Sequence, residues 1–269
     1  MTKLKNWVLV GAMVFISCTA SIKSTQQQEQ PANIPVNGKL FSTAFMQTAG
    51  EYRAMCYQTY HFARLSLDNM MLTGKYARPV IVTDIDETIL NNSAYEAHRT
   101  LKGLDYSVDS WYEWTSKSAA DTIPGALGFF QHAASKGVEA FYITNRDERE
   151  RAATLKNLVR FGFPNADSAH LLLRENTSSK ESRRQRLMQD HTILMLLGDN
   201  LADLHSLFDK KSVAERNNNV DQLSGEFGIR YIVLPNPIYG DWESALYQYN
   251  HKLSTAQKDS ILRGAVREY

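Results

Sequence analysis

The stretch Val80-Ile81-Val82-Thr83-Asp84-Ile85-Asp86-Glu87-Thr88 decides the reading of this chain. It follows Pro79 directly and opens with an unbroken β-branched run, the pattern of a strand buried on both faces. The carboxylates therefore come at the strand's C-terminal end, where open parallel sheets collect their ligand sites. Residues two apart on an extended strand point to the same side, so Asp84 and Asp86 are candidates for one shared site. Two unpaired carboxylates there are costly unless a metal or a reaction uses them.

Downstream the same rhythm recurs. Val138 to Ile143 reads as a strand ending in Thr144-Asn145-Arg146, and Glu148 to Phe161 as a helix closed by Gly162. His170 to Leu173 is a short strand. Lys180 to Gln189 is a helix with Ser178 or Ser179 as its cap. Thr192 to Leu197 is an apolar strand ending in Gly198-Asp199-Asn200, Asp203 to Phe208 is helical, and Ile229 to Leu234 is the last strand. Such alternation predicts an α/β fold, a doubly wound parallel sheet. Between Asp86 and the helix from Pro124 to Lys136 lie some thirty residues, 91–122, with no clear strand. A βα connection of that length often forms a lid. Upstream, Leu40 to Leu72 is helical: Phe41, Phe45, Ala49, Tyr52, Met55 and Cys56 recur at three- and four-residue steps, as do Phe62, Leu65, Leu67 and Met71, and Gly74 stops the run. No internal repeat is visible.

The 269 residues are 43% hydrophobic and 22% charged, an ordinary globular composition, and the formal net charge of +1 gives no reason to expect a nucleic-acid polymer as partner. Residues 1–17 read as a signal peptide: Lys3 and Lys5 precede an apolar segment, Trp7 to Ile16, too short to span a bilayer comfortably. Phe15-Ile16-Ser17-Cys18 resembles a bacterial lipobox with phenylalanine in the usual leucine position, which implies lipidation at Cys18; an ordinary secretory signal is the alternative. Cleavage would lower the basic residues from 30 to 28 against 29 acidic ones, a net charge of −1. It would also leave Cys56 alone, unable to form an internal disulfide and expected as a small buried hydrophobe. Residues 18–38, glutamine-rich with two prolines, read as a flexible tether, and 39–269 as a single domain with helical additions at 39–75 and 91–122.

Four polar clusters follow strand ends or open a helix: Asp84/Asp86, Thr144/Asn145, Lys180 and Asp199/Asp203. A parallel sheet gathers such positions on one edge, and the residue types suit phosphoryl transfer. One carboxylate can attack phosphorus and a second can move the protons. A hydroxyl, an amide and a lysine can hold phosphoryl oxygens. Further aspartates can hold Mg²⁺, which prefers oxygen ligands. Taken singly the residues carry less. An Asp-x-Asp pair equally suits a calcium site or a nucleotide-sugar transferase, Thr144 could merely cap a helix, Asp203 could be a first-turn charge, and Lys156, Lys210 and Lys211 compete with Lys180. The seven histidines form no clustered motif, which argues against histidine phosphatases and zinc hydrolases.

The order Asp84-Ile85-Asp86-Glu87-Thr88, Thr144, Lys180, Asp199 and Asp203 resembles the haloacid dehalogenase (HAD) superfamily of phosphohydrolases from Pro79 to Leu234. The lipobox, the N-terminal helical segment, Ile143-Thr144-Asn145-Arg146, Gly198-Asp199-Asn200-Leu201-Ala202-Asp203 and the Tyr-Gly-Asp-Trp-Glu end resemble more specifically the class C acid phosphatases, bacterial surface lipoproteins with 5′-nucleotidase activity. The resemblance implies Asp84 as nucleophile and Mg²⁺ ligand, Asp86 as general acid/base with its carbonyl on the metal, and Asp199 as a further ligand. It implies Asp203 as a ligand or a support for one, and Thr144, Asn145 and Lys180 as phosphate binders. Tyr76, Trp111, Tyr239 and Trp242 are the candidates for stacking on a base; Tyr52, Tyr57, Tyr60 and Phe62 are expected in the core. The expected partners are a nucleoside monophosphate or other small monoester, an outer membrane reached through the lipid, and a second copy in a homodimer. A monoesterase without base preference and a non-catalytic binding lipoprotein are the rival readings.

Overall fold

The central strand, β1 (Pro79–Thr83), lies between two parallel neighbours whose own ends carry the other polar clusters. The computed structural model describes residues 33–269; the signal segment, Cys18 and most of the proposed tether lie outside the described residues. The described chain opens with α1 (Ile34–Thr48) and α2 (Gly50–Thr73) ahead of β1. Then come β2 (Leu90–Asn91), α3 (Ser93–Thr100), α4 (Val108–Ser116), β3 (Asp121–Thr122) and α5 (Ala126–Ser135). Next are β4 (Glu139–Ile143), α6 (Arg151–Phe161), β5 (Leu171–Leu172), α7 (Glu181–Leu187) and β6 (Thr192–Gly198). The chain finishes with α8 (Val213–Gln222), β7 (Tyr231–Val233), α9 (Asp241–Leu246) and α10 (Thr255–Ala265). Among the described residues no helix is long and apolar enough to cross a membrane.

The main sheet runs β5-β4-β1-β6-β7, all parallel. The β-branched run of β1 divides as the pleat requires. Ile81 joins one apolar cluster with Ile85, Tyr142 and Leu197, while Val80 and Val82 join another with Phe141, Ile143 and Leu196. Helices cover both faces, as the alternation in the sequence predicts. Chain direction across the sheet reverses at β1: β4 and β5 lie on one side, β6 and β7 on the other. That is the topological switch point where open α/β sheets bind ligands.

The long excursion after β1 is not a loop. β2 pairs antiparallel with β3, Leu90 opposite Thr122 and Asn91 opposite Asp121, so a two-stranded ribbon closes its base and α3 and α4 form the subdomain above. Strands of two residues leave no alternation to read, which is why the sequence shows none. Three further elements went unread: α8, α9 and α10. The helix expected over Asp203 to Phe208 is instead two short 3-10 turns, Leu201–Asp203 and Ser206–Phe208.

Two expectations upstream change. Residues 34–38, assigned to the tether, are helical: Asn33 caps α1 by accepting from Val36 N, and Pro35 sits in the first turn, where its missing N–H costs nothing. The buried stripe of α2 is Tyr52, Cys56, Tyr60, Ala63 and Leu67. Phe62 and Leu65 are exposed, as are Phe41 and Tyr57. The break at Ala49, extended between two helices, ends the phase that carried the pattern from Phe41 onward. Small residues at 56 and 63 give α2 its close contact with the core. Cys56 is buried and free, as expected.

Candidate active site

The strand ends bring the polar clusters together. Asp84 follows β1, and its N–H continues the ladder to Leu197 O at 2.9 Å, fixing it beside the end of β6. Asp199 follows β6, and Asp203 returns from the 3-10 turn just beyond. One carboxylate oxygen from each of Asp84, Asp199 and Asp203 lies within 4.8 Å of the others. Gly198 makes this approach possible, since a Cβ at that position would overlap the Asp203 side chain. Asp203 is further held by Asn200, whose N–H donates to Oδ2 at 3.1 Å. Asp199 accepts from Asn236 Nδ2 at 2.7 Å, on the loop after β7.

Lys180 is the lysine of this site. Its Nζ contacts Asp84 Oδ1 and lies 2.7 Å from Asp203 Oδ1, and the side chain is buried. Lys156, Lys210 and Lys211 make no contact with these aspartates. Asp86 turns away from the three clustered carboxylates and into the arms of Arg146. Arg146 donates from NH2 to Oδ1 at 2.7 Å and from Nε to Oδ2 at 3.1 Å. Arg146 is itself buried, donates from NH1 to Thr154 Oγ1 at 3.0 Å, and places its guanidinium 5.8 Å from the Trp111 ring. Asn92 adds a donor to Asp86 Oδ1 at 2.8 Å.

Burial sets the electrostatics. It pushes the Asp84 carboxyl up to about 7, aided by the charges of Asp203 and Asp86 and opposed by Lys180. Burial, then Asp203 and Asp84, holds Asp199 well above the ordinary carboxylate range. Burial alone would lower Lys180, but Asp203 and Asp84 outweigh it and raise it. In direct contact at the strand ends, the four carboxylates Asp84, Asp86, Asp199 and Asp203 meet two cations, Lys180 and Arg146, while the wider cleft adds Lys39, Arg174 and Glu96. All the donors are hard oxygens. A divalent ion of the Mg²⁺ type fits that donor set and that charge.

Thr144 and Asn145 end β4. Asn145 lines the cleft, whereas Thr144 is wholly buried and its hydroxyl accepts from Arg146 N at 3.2 Å. Arg183, on α7 and fully buried, braces both: it donates to Thr144 O at 2.6 Å and to Asn145 Oδ1 at 2.9 Å. A cleft of about 350 Å³ opens above the carboxylates, and Trp111 and Tyr239 line it. That volume lies within the range of small-molecule sites.

Tyr76 and Trp242 do not line it. Tyr76 precedes β1 and so stands at the N-terminal edge of the sheet, packed against the core and away from the strand ends. Trp242 is 42% exposed, and its indole N–H donates to the carbonyls of Asn236 and Tyr239, which turns the ring onto a separate groove beside Ile34 and Tyr247. The sequence reading missed Arg146, Arg183, Asn92 and Glu87. Arg146 was within reach, as it directly follows two predicted site residues. Arg183 lies on a helix among other arginines, with nothing in the spacing to mark it. Glu87 is fully buried; burial and the neighbouring Asp86 charge push it up to about 8.

Comparison with known proteins agrees with this geometry. The model of the HAD superfamily, subfamily IIIB (acid phosphatase), matches residues 10–242. Acid phosphatase 1 of Solanum lycopersicum is 29% identical over 176 residues, 62% of this chain and 60% of its own length, so the chain spans three fifths of that protein. Vegetative storage protein 2 of Arabidopsis thaliana is 24% identical over 219 residues, 77% of this chain and 72% of that protein. The class C acid phosphatase from Bacillus anthracis superposes with a TM-score of 0.85 at 40% identity, covering 88% of this chain and all of that one, and its tungstate-bound structure matches equally well. Parallel sheet, motif order and carboxylate cluster all fall within these matches: the chain belongs to the acid phosphatases of HAD superfamily subfamily IIIB.

Proposed function

We propose that this protein is a Mg²⁺-dependent phosphomonoesterase that hydrolyses nucleoside monophosphates outside the cytoplasm through an aspartyl-phosphate. The observation that carries the proposal is the convergence of Asp84, Asp199, Asp203 and Lys180 at one strand edge, with Asp86 held beside them. A storage protein among the relatives means that kinship alone does not carry catalysis; these side chains do.

Asp84 is the nucleophile. Its Oδ1 is held by Lys180, and among the described residues no donor reaches Oδ2, which is free to attack phosphorus in line with the leaving oxygen. As the phosphorus–oxygen bond to the leaving group breaks, Asp86 gives that oxygen a proton. It then takes a proton from a water that attacks the aspartyl-phosphate and releases inorganic phosphate. Lys180 and Asn145 hold the phosphoryl oxygens, with Thr144 shaping the turn that presents Asn145. Asp84, Asp199 and Asp203 would hold the metal, which neutralises charge on the phosphoryl group when bound. A tetrahedral oxyanion, tungstate, is bound in the Bacillus anthracis class C enzyme, which supports an oxyanion seat in this one. Trp111 and Tyr239 on the cleft wall support the preference for a base. Export, lipidation at Cys18 and pairing as a homodimer belong to the same proposal on the strength of the sequence resemblance.

The test is turnover of p-nitrophenyl phosphate with Mg²⁺ and with EDTA, followed by kcat/KM over a panel of phosphate esters. Activity that is lost in EDTA, restored by Mg²⁺ and highest for nucleoside monophosphates is expected. Equal kcat/KM for nucleotides and glycerol phosphate would leave a monoesterase without base preference, and no turnover would leave a binding protein.

A further inference from the structure

Glu87 sits inside the Asp84–Thr88 motif, yet it touches neither the clustered carboxylates nor Lys180. Its backbone is in the left-handed region, at φ 57°. A long side chain adopts that conformation only at a cost, and glycine would adopt it freely. Strain of this kind persists where the surroundings require the side chain that suffers it. The carboxyl group is fully buried and has no cationic partner among the described residues. Its Oε1 accepts from Asn92 N at 2.6 Å, and its Oε2 accepts from Asn92 Nδ2 at 3.3 Å and from the Tyr239 hydroxyl. The same Asn92 Nδ2 donates to Asp86 Oδ1 at 2.8 Å, and Asn92 Oδ1 accepts from Trp114 Nε1 at 2.8 Å. Asn92 thus has every amide atom assigned, and its orientation is fixed from three sides. Asp86 is gripped from one side by Arg146 and from the other by this amide.

We infer that Glu87 is a positioning residue: through Asn92 it fixes the rotation of the Asp86 carboxylate, and so aims the proton donor at the leaving oxygen. The inference rests on the phosphatase reading and deepens it. Replacing Glu87 by glutamine keeps the shape but, either way round, sets an NH₂ group against one of the two Asn92 donors, the backbone N–H or Nδ2. Two donors would then face each other, Asn92 would have to shift or turn away, and its bond to Asp86 would be broken or stretched.

Leaving groups separate aiming from general support. An alkoxide needs a proton as it departs, whereas p-nitrophenolate leaves without one. Under saturating Mg²⁺, Glu87→Gln and Asn92→Ala should each lower kcat/KM for glycerol phosphate by about tenfold to a hundredfold, the effect of one hydrogen bond to a charged acceptor. For p-nitrophenyl phosphate the loss should stay within about threefold, because that leaving group draws little on the acid. The double variant should lose no more than the worse single one, since both act through one contact. Equal losses on the two esters, or losses that multiply in the double variant, would overturn the inference. Should Glu87→Gln not fold, Asn92→Ala decides alone: an unchanged kcat/KM for glycerol phosphate overturns it. A parent protein that turns over neither ester strikes the phosphatase reading instead.

Discussion

Arg146 offers the sharpest test of the site, because the structure makes it the counter-ion of Asp86. Consider Arg146→Met, which keeps the length and removes the charge. Arg146 is 3% exposed and gives Asp86 two well-formed hydrogen bonds, at 2.7 and 3.1 Å. Removing one partner of a buried pair costs roughly 3–5 kcal/mol, mostly because the other charge is left behind. Here the cost falls toward the lower figure, since the Asp86 side chain keeps 17% exposure and retains Asn92. About 3 kcal/mol corresponds to a fall in Tm of roughly 6–12 °C for a domain of this size. The catalytic loss should be larger in proportion: with Asp86 unaimed, general acid/base help worth about 10²–10⁴ is at stake. Differential scanning calorimetry with Mg²⁺ present gives the first quantity and kcat for a nucleoside monophosphate the second. Arg146→Lys should recover part of the stability and little of the rate, because an ammonium cannot reproduce the two-pronged contact. A variant Arg146→Met with Tm within a degree and kcat within twofold of the parent would refute the assignment of Arg146 as the group that holds Asp86.

Other consequences are simpler to state. Asp84→Asn should abolish turnover in a folded protein and weaken Mg²⁺ binding by calorimetry, while parent-like hydrolysis would remove Asp84 as nucleophile. Tyr239→Ala should raise KM for nucleoside monophosphates about tenfold to a hundredfold and KM for glycerol phosphate much less, any loss through its hydroxyl bond to Glu87 falling on kcat for both esters, and Tyr76→Ala should do neither, as it stands at the far edge of the sheet. Cys18→Ser should abolish fatty-acid labelling and move the protein out of the membrane fraction; a mature N-terminus other than a modified Cys18, seen by mass spectrometry, would remove the anchor. In EDTA, stability should fall as pH rises: Asp84 and Asp199 titrate above their ordinary values, so the folded state holds more protons, and the stability present below pH ~4 is lost as pH climbs through about 7. Tm in EDTA that increases from pH 5.5 to 8 would contradict this.

Legibility followed local regularity. β1 announced itself because a strand buried on both faces must be apolar at every position, and Val80 and Ile81 do enter opposite clusters. The strand-end aspartates and Lys180 were legible because a parallel sheet turns sequence order into spatial convergence. Tyr239 was placed on the correct edge by its position after β7. What failed has physical causes. The β2/β3 ribbon has two residues per strand, too few for any period. The α2 stripe was misread beyond Cys56, where burial selected the small Ala63 for close approach over the larger Phe62 and Leu65. Trp242 was expected on the cleft because it follows the Pro-Asn-Pro turn after the last strand, but its indole N–H donates back to the carbonyls of Asn236 and Tyr239 and the ring lies on a separate groove.

The residues that hold the catalytic groups were the least legible, and the reason is general to buried polar sites. A nucleophile or a ligand is constrained by the reaction and so falls at a strand end in a recognisable type. Its supports are constrained only by the need to satisfy each buried atom, and many sequences can do that. Arg183 comes from α7 and reaches Thr144 O and Asn145 Oδ1, Asn236 from beyond β7 reaches Asp199, and Asn92, just after β2, reaches Asp86 and Glu87. Those donors satisfy hydrogen bonds, but Asn92 and Asn236 bring no charge. Lys180 and Arg146 meet only two of the four carboxylates Asp84, Asp86, Asp199 and Asp203, so ionising the whole set, which burial resists at Asp84 and Asp199, calls for a further cation, and a phosphate dianion entering the cleft increases that need. Binding of metal and of phosphate should thus be linked, with Mg²⁺ affinity raised by an inert oxyanion and oxyanion affinity raised by Mg²⁺ in the same ratio, as linkage demands.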